Sequence, residues 1–166
     1  MKEKIVDKET LINAISEDIC DKINPFIKRM KGIYDNAIEH VIIPKIEIEI
    51  EERGMIIEDR EMYVSLAKYL AVTKVDSIIK EMDDHLSEVI GQYTGTFIEQ
   101  FEINHKAKGT AVDYYDLYVI LNNQIDTYID NMGIIAMVDL REDKEKIYED
   151  IQNSIGPFFG KVTVYQ

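Results

Sequence analysis

From Asp59 to Tyr93 the chain carries one unbroken helical pattern, and no Pro or Gly falls between Gly54 and Gly91. Val75, Ile79, Met82, Leu86, Val89 and Tyr93 recur at spacings of 4, 3, 4, 3 and 4, which lines one helix face with apolar side chains. Asp59 suits the N-cap. A stripe this long cannot be buried by its own helix, so further helices must pack along it.

Candidates for those neighbours lie on both sides. Ile12, Ile15, Ile19 and Ile23 predict a first helix capped by Asp7 or Thr10. Asn24-Pro25 reads as a cap followed by proline at the first position of a second helix. That helix places Phe26, Ile27, Met30, Ile33, Tyr34, Ala37, Ile38, Val41 and Ile42 on one side, and Pro44 ends or kinks it. Beyond the long helix, Thr94-Gly95-Thr96 breaks the pattern and His105–Gly109 reads as a polar loop. Thr110 to Asp113 resembles a capping box with Asp in place of Glu. Tyr114, Tyr118, Leu121, Ile125, Tyr128 and Met132 then form another seam, stopped by Gly133. Residues 143–154 make a last helix with Ile147, Ile151 and Ile155 inward, ended by Gly156-Pro157.

Four segments are ambiguous between helix and strand. In 45–52 Ile46, Ile48 and Ile50 alternate with Glu47, Glu49 and Glu51, which favours a half-buried strand ended by Gly54. The others are 97–103, the apolar run 134–140 and the terminal stretch 161–165. The expected fold is mainly α: one domain over 1–166, a bundle of about five helices around the long one. A small edge β-sheet gives an α+β variant.

Charge narrows the function classes. The net charge is −13, and it is concentrated in the middle: residues 46–104 hold 14 acids against 5 bases. Such a surface repels a phosphate backbone, so direct nucleic-acid binding is disfavoured, whereas a basic protein partner is attracted and steered. No apolar run approaches the ~18 residues of a membrane span. Met1-Lys2-Glu3-Lys4 leads into an amphipathic helix rather than an apolar signal core, which predicts a cytoplasmic protein. Ile outnumbers Leu 28 to 7 and Lys outnumbers Arg 15 to 4, the mark of an AT-rich genome such as that of a low-GC bacterium or its phage. Cys20 is the single cysteine and has no metal-ligand spacing.

Chemistry-bearing motifs are sparse. Glu102 and His105 have Glu-x-x-His spacing, and Glu81 with His85 is a looser pair. A di-iron carboxylate site needs two such pairs and further carboxylates, so no cofactor is expected. Glu81, Asp84 and Glu88 share one flank of the long helix and are weak Mg²⁺ candidates. Glu81-Met82-Asp83-Asp84 resembles the Glu-x-x-Asp element of the helical nucleotide pyrophosphohydrolases of the MazG and dUTPase type. Glu49-Ile50-Glu51-Glu52 matches their second element poorly, because Arg53-Gly54-Met55 follows where another acid is needed. No nucleophile motif or phosphate-cradling glycine loop occurs.

Tyrosines stand above background. Asp113-Tyr114-Tyr115-Asp116-Leu117-Tyr118 sets three of them among two aspartates, and Tyr115 points away from the seam. Tyr anchors interfaces and flanking acids suit a basic partner. The leading expectation is therefore a non-enzymatic acidic protein-binding protein, such as an inhibitor of a basic nucleic-acid-processing partner of the phage anti-defence or immunity kind. Glu47, Glu49, Glu51, Glu52, Asp113, Tyr115 and Asp116 are its contact residues. A Mg²⁺-dependent all-α nucleotide pyrophosphohydrolase and a virion or assembly component are the alternatives, and homo-oligomers are compatible with all three.

Overall fold

The computed structural model describes residues 5–52, 55–57, 60–158 and 162–164. Helix α1 spans Lys8–Ala37, passes through a π-helical stretch at Ile38–Ile42 and continues as α2, Ile43–Glu52. Helix α3 runs Arg60–Lys108 and α4 runs Tyr114–Phe158. Strands β1 (Met55–Ile57) and β2 (Val162–Val164) pair antiparallel, with Ile56 opposite Thr163. Among the described residues no helix is long and apolar enough to cross a membrane.

Three long helical runs thus replace the expected five helices, because sequence breakers are overridden by burial. Pro25 lies inside α1 rather than at a helix start. It is solvent-exposed, so the carbonyl it leaves without a donor can be hydrated, while Ile23, Phe26 and Met30 stay buried on the opposite flank. Pro44 follows the π turn, which closes through the Ile43 N–H to the Ile38 carbonyl. That wider turn relieves the crowding of a proline ring against the carbonyl four residues earlier. Gly95 and Gly133 sit within α3 and α4 and stop neither helix, although each costs about 1 kcal/mol relative to Ala. Gly156-Pro157 likewise falls inside α4.

Three of the four ambiguous segments resolve the same way, whereas the terminal stretch supplies strand β2, Val162–Val164. Segment 45–52 is helical, not a strand, since Ile46 (0% exposed) continues the stripe of Ile38 and Ile42. Segments 97–103 and 134–140 are helical too, and the latter leaves Ile134, Ile135, Met137 and Val138 in solvent. Gly54, Asp59, Lys161 and Tyr165, which were expected to bound elements, lie outside the described residues.

Helix ends follow capping rules. Asp7 Oδ1 accepts from the Thr10 N–H at 2.8 Å and its hydroxyl at 2.7 Å, which fixes the start of α1. The 105–109 stretch is not a loop: α3 continues to Lys108 and ends in a Schellman motif. Gly109 there takes a φ of 69°, its N–H bonds the Lys106 carbonyl and the Thr110 N–H bonds the His105 carbonyl. Asp113, not Thr110, caps α4, accepting from the Tyr115 and Asp116 N–H groups at 3.1 and 3.2 Å.

The chain divides into two compact units, Met1–Lys28 with Glu81–Ile134, and Arg29–Lys80 with Ile135–Gln166. In the first, Lys8 pairs with Glu102 at 2.9 Å and Tyr118 bonds Asp18, so α1 runs against α3 and alongside α4. In the second, Lys31 approaches Asp76, Lys74 pairs with Asp150 and Tyr34 donates to Asp143, giving the same up-down-up sense. Both strands belong to the second unit.

Along α3 the buried positions step by four within each unit. They are Tyr63, Ala67, Ala71, Val75 and Ile79, then, after a jump of seven, Leu86, Ile90, Thr94 and Ile98. Each four-residue step advances the stripe by about 40°, whereas a step of three or seven sets it back. The jump straddles the passage from Lys80 to Glu81, between the units. In α1 the series Leu11, Ile15, Ile23 resets by three at Phe26 and then continues through Met30, Tyr34, Ile38, Ile42 and Ile46. Consequently Tyr93 is exposed, although the 4-3 pattern placed it in the seam, and Ile12 yields its core place to Leu11.

Candidate functional site

In the first unit, α1 and α4 lie side by side and frame a recess of about 420 Å³. Asp18, Asp21 and Lys22 face it from α1, at helical spacings of three and one. Tyr115, Tyr118, Asn122 and Asp126 face it from α4, spaced three, four and four, so each set forms one flank of its helix.

The inner wall is a closed hydrogen-bond network. Asp18 accepts from the Tyr118 hydroxyl and, at 3.1 Å, from the Asn122 amide. Burial first, and the bond to Asp18 second, push the Tyr118 hydroxyl above its ordinary value, so it stays a donor. Lys22 pairs with Asp126 and reaches the Asn122 carbonyl at 3.5 Å. These groups hold the two helices in register, with Lys22 paired to Asp126 and Asp18 held by two neutral donors.

The rim differs. Asp21 is exposed and carries no ion pair among the described residues, and Tyr115 is 42% exposed. A carboxylate and an aromatic face bordering one concavity can receive a cationic side chain, through charge and through the ring quadrupole. No group in the recess is arranged as a nucleophile beside a base.

The sequence-derived candidates distribute as follows. Tyr115 reaches the recess. Asp113 is occupied as the α4 cap, and Asp116 is exposed in the first turn of that helix. Glu47, Glu49, Glu51 and Glu52 belong to the second unit, and helical geometry spreads around α2 the acids that a strand would have aligned. Glu51 pairs with Arg60 at 3.5 Å. Glu81, Asp84 and Glu88 are exposed on α3, and Glu88 accepts from Gln92 at 3.4 Å. Among the described residues no group of three or more His, Cys, Asp or Glu side chains is placed to hold a metal ion.

Glu102 and His105 are helical, yet each has another role. Glu102 binds Lys8 and the Tyr114 hydroxyl, both at 2.9 Å. His105 stacks on Phe101 with centroids 4.4 Å apart and contacts its carbonyl through Nδ1. Sequence reasoning missed Asp18, Asp21, Lys22, Asn122 and Asp126. Their i, i+3, i+4 spacing was present on the polar flanks of both helices, but nothing local shows that the two flanks meet.

The sequence matches no protein-family model, and comparison with curated proteins and with solved structures returns no similar chain.

Proposed function

We propose that the chain is a non-enzymatic protein-binding protein whose first unit receives a basic side chain of its partner in the recess between α1 and α4. The observation that carries this reading is the unpaired Asp21 on the same rim as the exposed ring of Tyr115. The network behind them is already satisfied, so the rim is pre-organised and little ordering entropy is lost on docking. The charge of −13 brings cationic surfaces in and holds polyanions off. Inhibition of a basic nucleic-acid-processing protein is the role that this combination fits best.

The test is affinity capture with the full chain as bait, in parallel with Tyr115→Ala and Asp21→Lys. A specific basic protein should be retained by the native bait and lost from both variants, whose circular dichroism and melting should match the native protein. Retention of the same partner by both variants would remove the recess from the binding surface.

A further inference from the structure

In the second unit the opposite electrostatics occur. A recess of about 200 Å³ lies between the π stretch with the start of α2 on one side and α4 on the other. Lys45, Arg141 and Lys144 converge on it, together with Tyr148 and one carboxylate, Glu145. Six other cations, Lys8, Lys22, Lys31, Arg60, Lys68 and Lys74, pair with carboxylates. Arg141 and Lys144 carry no ion pair among the described residues. Lys45 sits 4.3 Å from the centroid of the Tyr148 ring, a cation–π contact that fixes its ammonium at the recess.

A second observation is independent of charge. Tyr148 is only 9% exposed, lines this recess, and its hydroxyl is buried without a hydrogen-bond partner. Native structures leave few such groups unsatisfied, and each marks a place where an acceptor is missing. Three cations without ion pairs and one unmatched hydroxyl thus border a single concavity, against one carboxylate, Glu145.

We infer that this recess, formed by Lys45, Arg141, Lys144 and Tyr148, is a binding site for a small phosphate-class oxyanion. Its volume lies below the ~300–1,000 Å³ typical of sites for drug-sized molecules, which suits a single anionic head rather than a whole nucleotide. Donors arriving from two helices as three separate cations match a tetrahedral anion with several oxygens. A planar carboxylate is better served by one guanidinium fork. The overall negative charge does not forbid this, because at physiological salt fields are screened over about 8 Å and the nearest cations dominate.

The experiment is a nuclear magnetic resonance titration of the labelled full chain with inorganic phosphate, at ionic strength held constant with chloride. Saturable amide shifts are expected in 41–46 and 141–148. Arg141→Gln should weaken binding at least five-fold. Tyr148→Phe, which keeps the ring beneath Lys45 and removes only the donor, should weaken it two-fold or more. Lys106→Gln, at the far end of α3 in the other unit, should leave affinity unchanged. Acetate should bind more weakly than phosphate. Non-saturating shifts, equal losses in Lys106→Gln and Arg141→Gln, indifference to both Arg141→Gln and Tyr148→Phe, or acetate binding as tightly as phosphate would each overturn the assignment.

Discussion

Glu102 shows how a single side chain in this protein is committed to structure. The hydrogen bond from Lys8 holds its carboxyl below the ordinary glutamate value; burial opposes this as the next largest effect, and the Tyr114 hydroxyl and the Lys8 charge add to the lowering. A carboxyl depressed in the folded state stabilises the fold above its unfolded-state pKa, and that contribution is lost as pH falls through the folded value. Urea denaturation near neutral pH should therefore show the native protein more stable than Glu102→Gln. The difference should shrink through the acid range and vanish once both states are protonated. Because the pair is largely solvated, the effect at neutrality should be modest and should fall with added salt. A gap between the two proteins that persists at low pH would mean that Glu102 acts through packing instead.

At the scale of elements, proline and glycine punctuation misleads, while apolar residues at helical spacing mark where helices run even where, as at Tyr93, they misplace a single buried position. Asn24-Pro25, Thr94-Gly95-Thr96 and Gly133 each resemble a boundary, yet each lies inside a helix. Their local costs are outweighed by stripes that bury Ile23, Phe26, Ile90, Ile98 and Ile129 on either side. The inward positions Ile147, Ile151 and Ile155, and the α1 cap at Asp7, were legible because each depends on residues within a turn or two. The recess was legible only at Tyr115, since its other wall comes from a helix about a hundred residues away in sequence. Pro25 offers a direct measure of the conflict. An interior proline costs a helix about 3 kcal/mol, partly offset by the ~0.4–1 kcal/mol gained from stiffening the unfolded chain. Pro25→Ala should thus stabilise the protein by about 2 kcal/mol, read as a higher denaturant midpoint at an unchanged slope. A destabilised variant would mean that the local backbone geometry set by Pro25 is required for packing Ile23 and Phe26.

For the molecule as a whole, the question is whether binding is governed by total charge or by a local site. Lowering the net charge of −13 anywhere weakens long-range attraction of a basic partner and slows its arrival, whereas removing a contact speeds departure. Glu51 and Glu52 are exposed on α2 in the second unit, and Asp21 lines the recess in the first. Reversing Glu51 and Glu52 to Lys changes net charge by four and leaves the recess untouched. Asp21→Lys changes it by two at the proposed contact itself. Surface plasmon resonance against the captured basic partner should therefore separate them. The double reversal should slow association several-fold with dissociation unchanged, and that effect should disappear at high salt. Asp21→Lys should accelerate dissociation as well, at every salt concentration, because it places a cation where the partner's cation docks. Equal dissociation rates in all three proteins would leave only steering by the field. The recess would then be a structural seam between α1 and α4, and the exposed acids of the second unit would become the surface to map.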